Sequence, residues 1–322
     1  MWEIRLLGAL AVRRDGRRMP PFTTRIARSL FGFLVLHRGR RFPRLVLAEQ
    51  LWSEIDESTA RKRLRMELWR IRKTLDEGSE PAEPVPLVAD RDEVGFVPTD
   101  RVWLDLDQLE DRLEQAGERG RELTPQQVEA LQESALLYRG DLLEGEYGDW
   151  CAVAREQLRE RFLRGQRRLF RHYRQRRDWE SAITVGLGML EVDGLLEEVY
   201  QGLMVCYWSA GNRAAALQTF ERCSRRLRSE LKVEPLAETS ALHRRIRRET
   251  GPPVESVQSL GAPSSGSPPE QPNSSAARNG EDCLPGDSEV TQVVRDLESL
   301  ATLLDRAGDQ VRRALQLIYE NS

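Results

Sequence analysis

Cysteine is scarce in this chain. Four occur in 322 residues, Cys151, Cys206, Cys223 and Cys283, and no two stand in a Cys-x-x-Cys pair. That argues against a disulfide scaffold or a cysteine-bound zinc, and it fits a reducing cytoplasm. Histidine is rarer still. His37, His172 and His243 stand far apart, without metal-ligand spacing, so no metal site is expected. Neither G-x-x-x-x-G-K-[ST] nor G-x-G-x-x-G occurs, which removes support for an ATPase module or a dinucleotide site. No catalytic constellation emerges, and neither enzyme activity nor a cofactor is expected. No apolar run approaches the roughly 18 residues of a membrane span. The start, MWEIRLLGALAVRRDG, alternates apolar with polar positions and carries early charge, unlike a signal peptide.

What is present is charge, and it is segregated. The whole chain has a formal net charge of −3. Residues 1–76 carry 18 Lys+Arg against 8 Asp+Glu, whereas residues 77–150 carry 6 against 20. Residues 151–250 are basic again, with 20 against 13, and 251–322 are acidic, with 5 against 11. A basic N-terminal module inside a near-neutral total points to a polyanionic partner for that module.

The pattern along the chain divides it into four stretches. Residues 2–19 alternate like short strands, with Asp15-Gly16 as a hairpin turn. Three helices follow, near 25–38, 43–52 and 58–75. Thr24 and Ser58 are the expected N-caps, Gly39 the stop, and Pro43 a first-turn residue. Residues 87–97 then read as a hairpin turning at Asp90–Glu93. Strands, three helices and a hairpin describe a winged helix-turn-helix over 1–100.

From about 103 to 249 the chain reads as successive helices, starting near Thr124, Asp149, Asp178, Leu195, Arg213 and Leu236. Residues 178–212 and 213–249 look like two helical hairpins, spaced near the 34 residues of tetratricopeptide repeats. Trp150, Trp179 and Trp208 are expected to fill this helical core. The fold class is therefore mainly α: a winged helix (α+β), then an all-α tetratricopeptide-like domain over 101–250. Residues 251–288 hold 7 Pro, 5 Gly and 8 Ser, the composition of a disordered linker. Residues 289–322 form an expected amphipathic helix with a heptad seam through Val290, Leu297, Leu304, Val311 and Ile318. Such a face calls for self-association, a partner, or folding back.

The third helix is the most informative segment. At 100° per residue Ala60, Leu64, Leu68, Ile71 and Leu75 share a face about 80° wide, the expected buried stripe. Lys62, Arg65, Met66, Trp69, Arg70 and Lys73 project the other way. A helix with one narrow apolar stripe and a basic far face suits the DNA major groove. Lysines and arginines at its rim would neutralise phosphates.

IRLLGALAVRRDGRRM at 4–19, the three helices and VGFV at 94–97 resemble an OmpR-type winged helix. GDWCAVAREQLRERFL at 148–163, with the stretch from Asp178 through LKVEPLAETSALHRRI at 231–246, resembles a bacterial transcriptional activator domain. In this order the two resemble the antibiotic-regulatory-protein (SARP) class of bacterial transcription factors. The resemblance implies a cytoplasmic, sequence-specific regulator, most often an activator. Such a protein binds double-stranded promoter DNA at direct repeats as tandem protomers and recruits RNA polymerase. It places DNA contacts at Lys62, Arg65, Trp69, Arg70 and Lys73, with Arg91 on the wing. It places polymerase contacts in the Ser53–Glu57 loop, at Glu54, Asp56 and Glu57.

Three features depart from the family pattern. Trp69 stands where a small polar residue is usual, Glu67 near an uncharged one, and the wing tip Asp90-Arg91-Asp92-Glu93 is acidic. The competing reading is a helical scaffold or ligand sensor whose winged helix binds protein rather than DNA. The basic N-terminal module favours DNA, and the acidic wing pulls the other way.

Overall fold

A computed structural model describes residues 1–52, 54–76, 86–117 and 122–249, all within one compact unit, Met1–Gly261. The expected linker 251–288 and C-terminal helix 289–322 lie outside the described residues, as do Ser53 and Cys283.

The chain opens with strands β1 (Trp2–Arg5), β2 (Ala11–Arg14) and β3 (Arg17–Arg18). Asp15 and Gly16 both take positive φ, 50° and 77°, and close the two-residue turn between β2 and β3. Helix α1 (Arg25–Leu36) is capped by Thr24, whose Oγ1 accepts from the Ala27 N–H at 3.0 Å. Gly39, at φ 80°, turns the chain out after α1.

Strand β4 (Arg41–Pro43) and helix α2 (Arg44–Leu51) follow, then the 20-residue helix α3 (Glu57–Asp76). Strands β5 (Leu87–Ala89) and β6 (Glu93–Phe96) form the wing, joined through the turn at Asp90. Phe42 pairs with Val94, so β4 completes a three-stranded sheet in the order β4-β6-β5. Pro43 therefore ends a strand and precedes α2, rather than lying in its first turn as expected.

Strand β7 (Val102–Leu104) runs parallel to β1 and completes the N-terminal sheet, ordered β3-β2-β1-β7. This corrects the reading of helices from 103 onward. Three residues carry no periodicity of their own, and partners about 100 positions away decide their conformation. Asp105 opens helix α4 (Asp105–Ala116) and fixes the junction. Its buried carboxylate accepts from the Leu6 and Leu7 N–H groups at 2.8 and 3.0 Å. Burial nonetheless pushes its pKa up.

The rest is helical. Helix α5 (Pro125–Leu137) starts with a capping box, Thr124 and Gln127 each bonding the other's backbone. The 27-residue α6 (Asp149–Gln175) packs on α7 (Trp179–Val192). Helices α8 (Glu197–Ser209), α9 (Arg213–Glu230) and α10 (Ala237–Arg248) follow, each packed on its predecessor. Ala182 and Ala216 are fully buried in α7 and α9. A Cβ at Gly202 would stand 2.5 Å from the Phe170 ring, so only glycine lets α8 approach α6 this closely. These are the stacked, small-residue crossings expected of tetratricopeptide-like hairpins.

One apolar core runs through both halves. Across the junction, buried Glu146 accepts from Arg28 Nε at 2.6 Å and Ser29 Oγ at 2.7 Å, both on α1. Leu143 N–H donates to the Leu6 carbonyl at 2.7 Å. Trp150 packs edge-on against Phe33 of α1, ring centroids 5.5 Å apart, so it serves this junction rather than the helical interior. Trp208 is buried within the helices, and Trp179 is half-buried against the main core.

Candidate nucleic-acid interface

The geometry of α3 follows from what it buries. Ala60, Leu64, Leu68, Ile71 and Leu75 are all nearly inaccessible and join α1, α2 and the wing in one core. Glu67 and Thr74 share that buried face, which hydropathy alone does not anticipate. Glu67 Oε2 accepts from Thr24 Oγ1 at 2.5 Å, and Arg70 Nη1 donates to its other oxygen. The acid that departs from the family pattern thus joins α3 to the cap of α1. It also holds Arg70 at the flank of the helix.

The outward face carries Lys62, Arg65, Met66, Trp69 and Lys73, all exposed. Lys62 and Arg65 make no ion pair among the described residues. Trp69 is 55% exposed and Met66 49%, and the Lys73 ammonium sits 5.2 Å from the Trp69 ring centroid.

Three arginines that the helical wheel did not single out join this surface. Arg44 begins α2 and donates from Nε to the Asp90 carbonyl at 2.9 Å. Arg72 Nη2 donates to the Ala89 carbonyl at 3.3 Å, and Arg41 pairs with Asp90 at 3.6 Å. Burial, then the charges of Arg65 and Arg72, depress the Arg44 pKa. Arg44, Arg65 and Arg72 thus form a cationic cluster shared by α2, α3 and the wing. The basic count of residues 1–76 includes all three, but their convergence depends on how α2 and the wing dock.

The acidic wing is partly self-consuming. Asp90 Oδ1 accepts from the Asp92 and Glu93 N–H groups at 2.9 and 2.8 Å. Those bonds hold its pKa below the usual carboxylate range. Arg91 is exposed at the tip.

In the loop before α3, Asp56 rather than Ser58 caps the helix. Its Oδ1 accepts from the Thr59 N–H at 3.0 Å and from Ser58 Oγ at 2.8 Å. The hydrogen bonds from Thr59, then Ser58, lower its pKa to about 2. Glu57 pairs with Arg61 at 2.5 Å, one turn on, while Glu54 is exposed. Of the three acids, Glu54 alone is without a bonded partner among the described residues.

The described residues hold no cluster able to ligate a metal and no helix long and apolar enough to cross a membrane. His37 lies tilted against Phe33 and edge-on to Phe42, His172 lies against Tyr173, and His243 stacks on Phe220.

The described residues thus place a winged helix-turn-helix with an exposed basic α3 beside stacked helical hairpins. Residues 104–247 match the family model described as the bacterial transcriptional activator domain. The fold is similar to that of Mycobacterium tuberculosis EmbR, solved in complex with a low-affinity phosphopeptide. The TM-score is 0.54 at 21% identity, over 79% of this chain. The match covers 66% of the EmbR chain, just under two thirds of its length. The comparison with curated proteins gives no match. Both matches agree with the SARP-class resemblance expected from the sequence.

Proposed function

We propose that the chain binds promoter DNA through α3 and acts there as a transcriptional activator. The observation that carries this reading is the outward face of α3. Lys62 and Arg65 stand exposed and unpaired among the described residues, on a helix whose opposite side is fully committed to the core. A major groove roughly 12 Å wide admits one such helix, and Arg65 would be aimed at guanine. Arg44, Arg72 and Lys73 would meet phosphates along the rim, with Arg91 of the wing beside them.

Polymerase recruitment would fall to the loop before α3. Among the described residues Glu54 is its free acid, because Asp56 holds the helix start and Glu57 is paired. Tandem protomers on direct repeats complete the proposal.

The experiment is binding of the purified chain to a random duplex pool, with selection and sequencing, at two salt concentrations. Enrichment of a repeated motif, with affinity falling steeply as salt rises, supports the reading. Salt-insensitive binding without enrichment opposes it and favours a protein partner for the winged helix.

A further inference from the structure

The centre of the α3 surface is apolar. At 100° per residue Lys62, Met66, Trp69 and Lys73 fall within about 60° of one another, directly opposite the buried stripe. Arg65 and Arg72 flank them on the side of α2 and the wing, and Arg70 on the other flank is held by Glu67. The side chains projecting straight out from mid-helix are therefore a methionine and an indole, one turn apart, both about half exposed. The core takes neither of them, and packing gives no reason for a large apolar pair here. The flanking cations commit the surface to a polyanion, so the partner must offer apolar groups inside an anionic frame.

A major-groove edge offers one apolar group, the C5-methyl of thymine. Resting on the proposal that α3 enters the groove, we infer that Met66 and Trp69 are specificity-determining residues that read thymine methyls at the centre of each half-site. The Lys73 ammonium over the indole screens one ring face from water. Arg65 would then read guanine beside this thymine-rich centre.

The test uses the full chain and the sequences enriched from the random duplex pool. In the best of them, thymines at the centre of the half-site are replaced by deoxyuridine, which pairs identically and lacks only the methyl. Affinity is read by fluorescence anisotropy. The expected loss is roughly fourfold for each contacted methyl. Trp69→Ala and Met66→Ala are surface changes that leave the core intact. Each should bind the thymine duplex more weakly and lose part of the discrimination against deoxyuridine, with the salt slope unchanged. Equal affinity of the wild-type chain for thymine and deoxyuridine duplexes overturns the inference. So does enrichment of sites without central thymine, or full discrimination retained by both variants. In those three outcomes DNA binding itself stands. Absence of any salt-sensitive DNA binding overturns both.

Discussion

Single residues divide the α3 surface into two kinds of contact, and substitutions should separate them. Arg65→Ala should reduce preference for the enriched sequence over random DNA by roughly 1–3 kcal/mol, the range for a good base contact. Lys73→Ala should weaken all sequences alike and flatten the dependence of log affinity on log salt by about one unit. Competition binding at several salt concentrations distinguishes the two, and a uniform loss from Arg65→Ala would make it a phosphate contact. Glu67 works at the same scale but inward. Thr24 both caps α1 and donates to Glu67, so Thr24→Ala should cost about 1–2 kcal/mol in urea unfolding. An unchanged urea midpoint would mean that this link does not hold α3.

At the scale of elements, the start of α3 makes a pH-dependent prediction. The Asp56 carboxyl is held down at about 2 in the folded chain against its ordinary 3.8. A depressed folded pKa adds stability above the ordinary value and loses it as pH falls toward 2. Asp56→Asn, which can still cap, should therefore show a shallower loss of stability between pH 4 and pH 2. Parallel urea curves for the two proteins across that window would contradict the cap.

The elements legible in the sequence were those governed locally. Thr24, Gly39, the Asp15-Gly16 turn and the stripe from Ala60 to Leu75 all announce themselves within a few residues. Strands β4 and β7 did not, because three residues become a strand only through Val94 and Trp2, distant in sequence. The cap passed from Ser58 to Asp56 for a similar reason. Both are good capping residues, and the path of the preceding loop chooses between them. Within the candidate site, the helical wheel identified the outward face of α3. It could not identify Arg41, Arg44 and Arg72, whose convergence arises from docking between elements; Glu67 lies beside the stripe on the same wheel, and only its charge argued against burial.

Across the whole molecule, the winged helix and the helical hairpins share one core, so they should unfold together. A single cooperative urea transition is expected for residues 1–249, and two separated transitions would contradict the shared core. Glu146→Ala removes the acceptor for Arg28 and Ser29 at the junction. It should cost about 1–2 kcal/mol, because the half-buried Ser29 hydroxyl loses its partner while half-exposed Arg28 regains water. The central claim, that α3 is the DNA-reading element, is tested most directly by the Arg65→Ala/Lys73→Ala double variant. Its anisotropy titrations against the enriched duplex, run across a salt series, should show weaker binding, lost sequence preference and a shallower salt slope. A folded double variant that binds the duplex as the wild-type chain does would contradict the account.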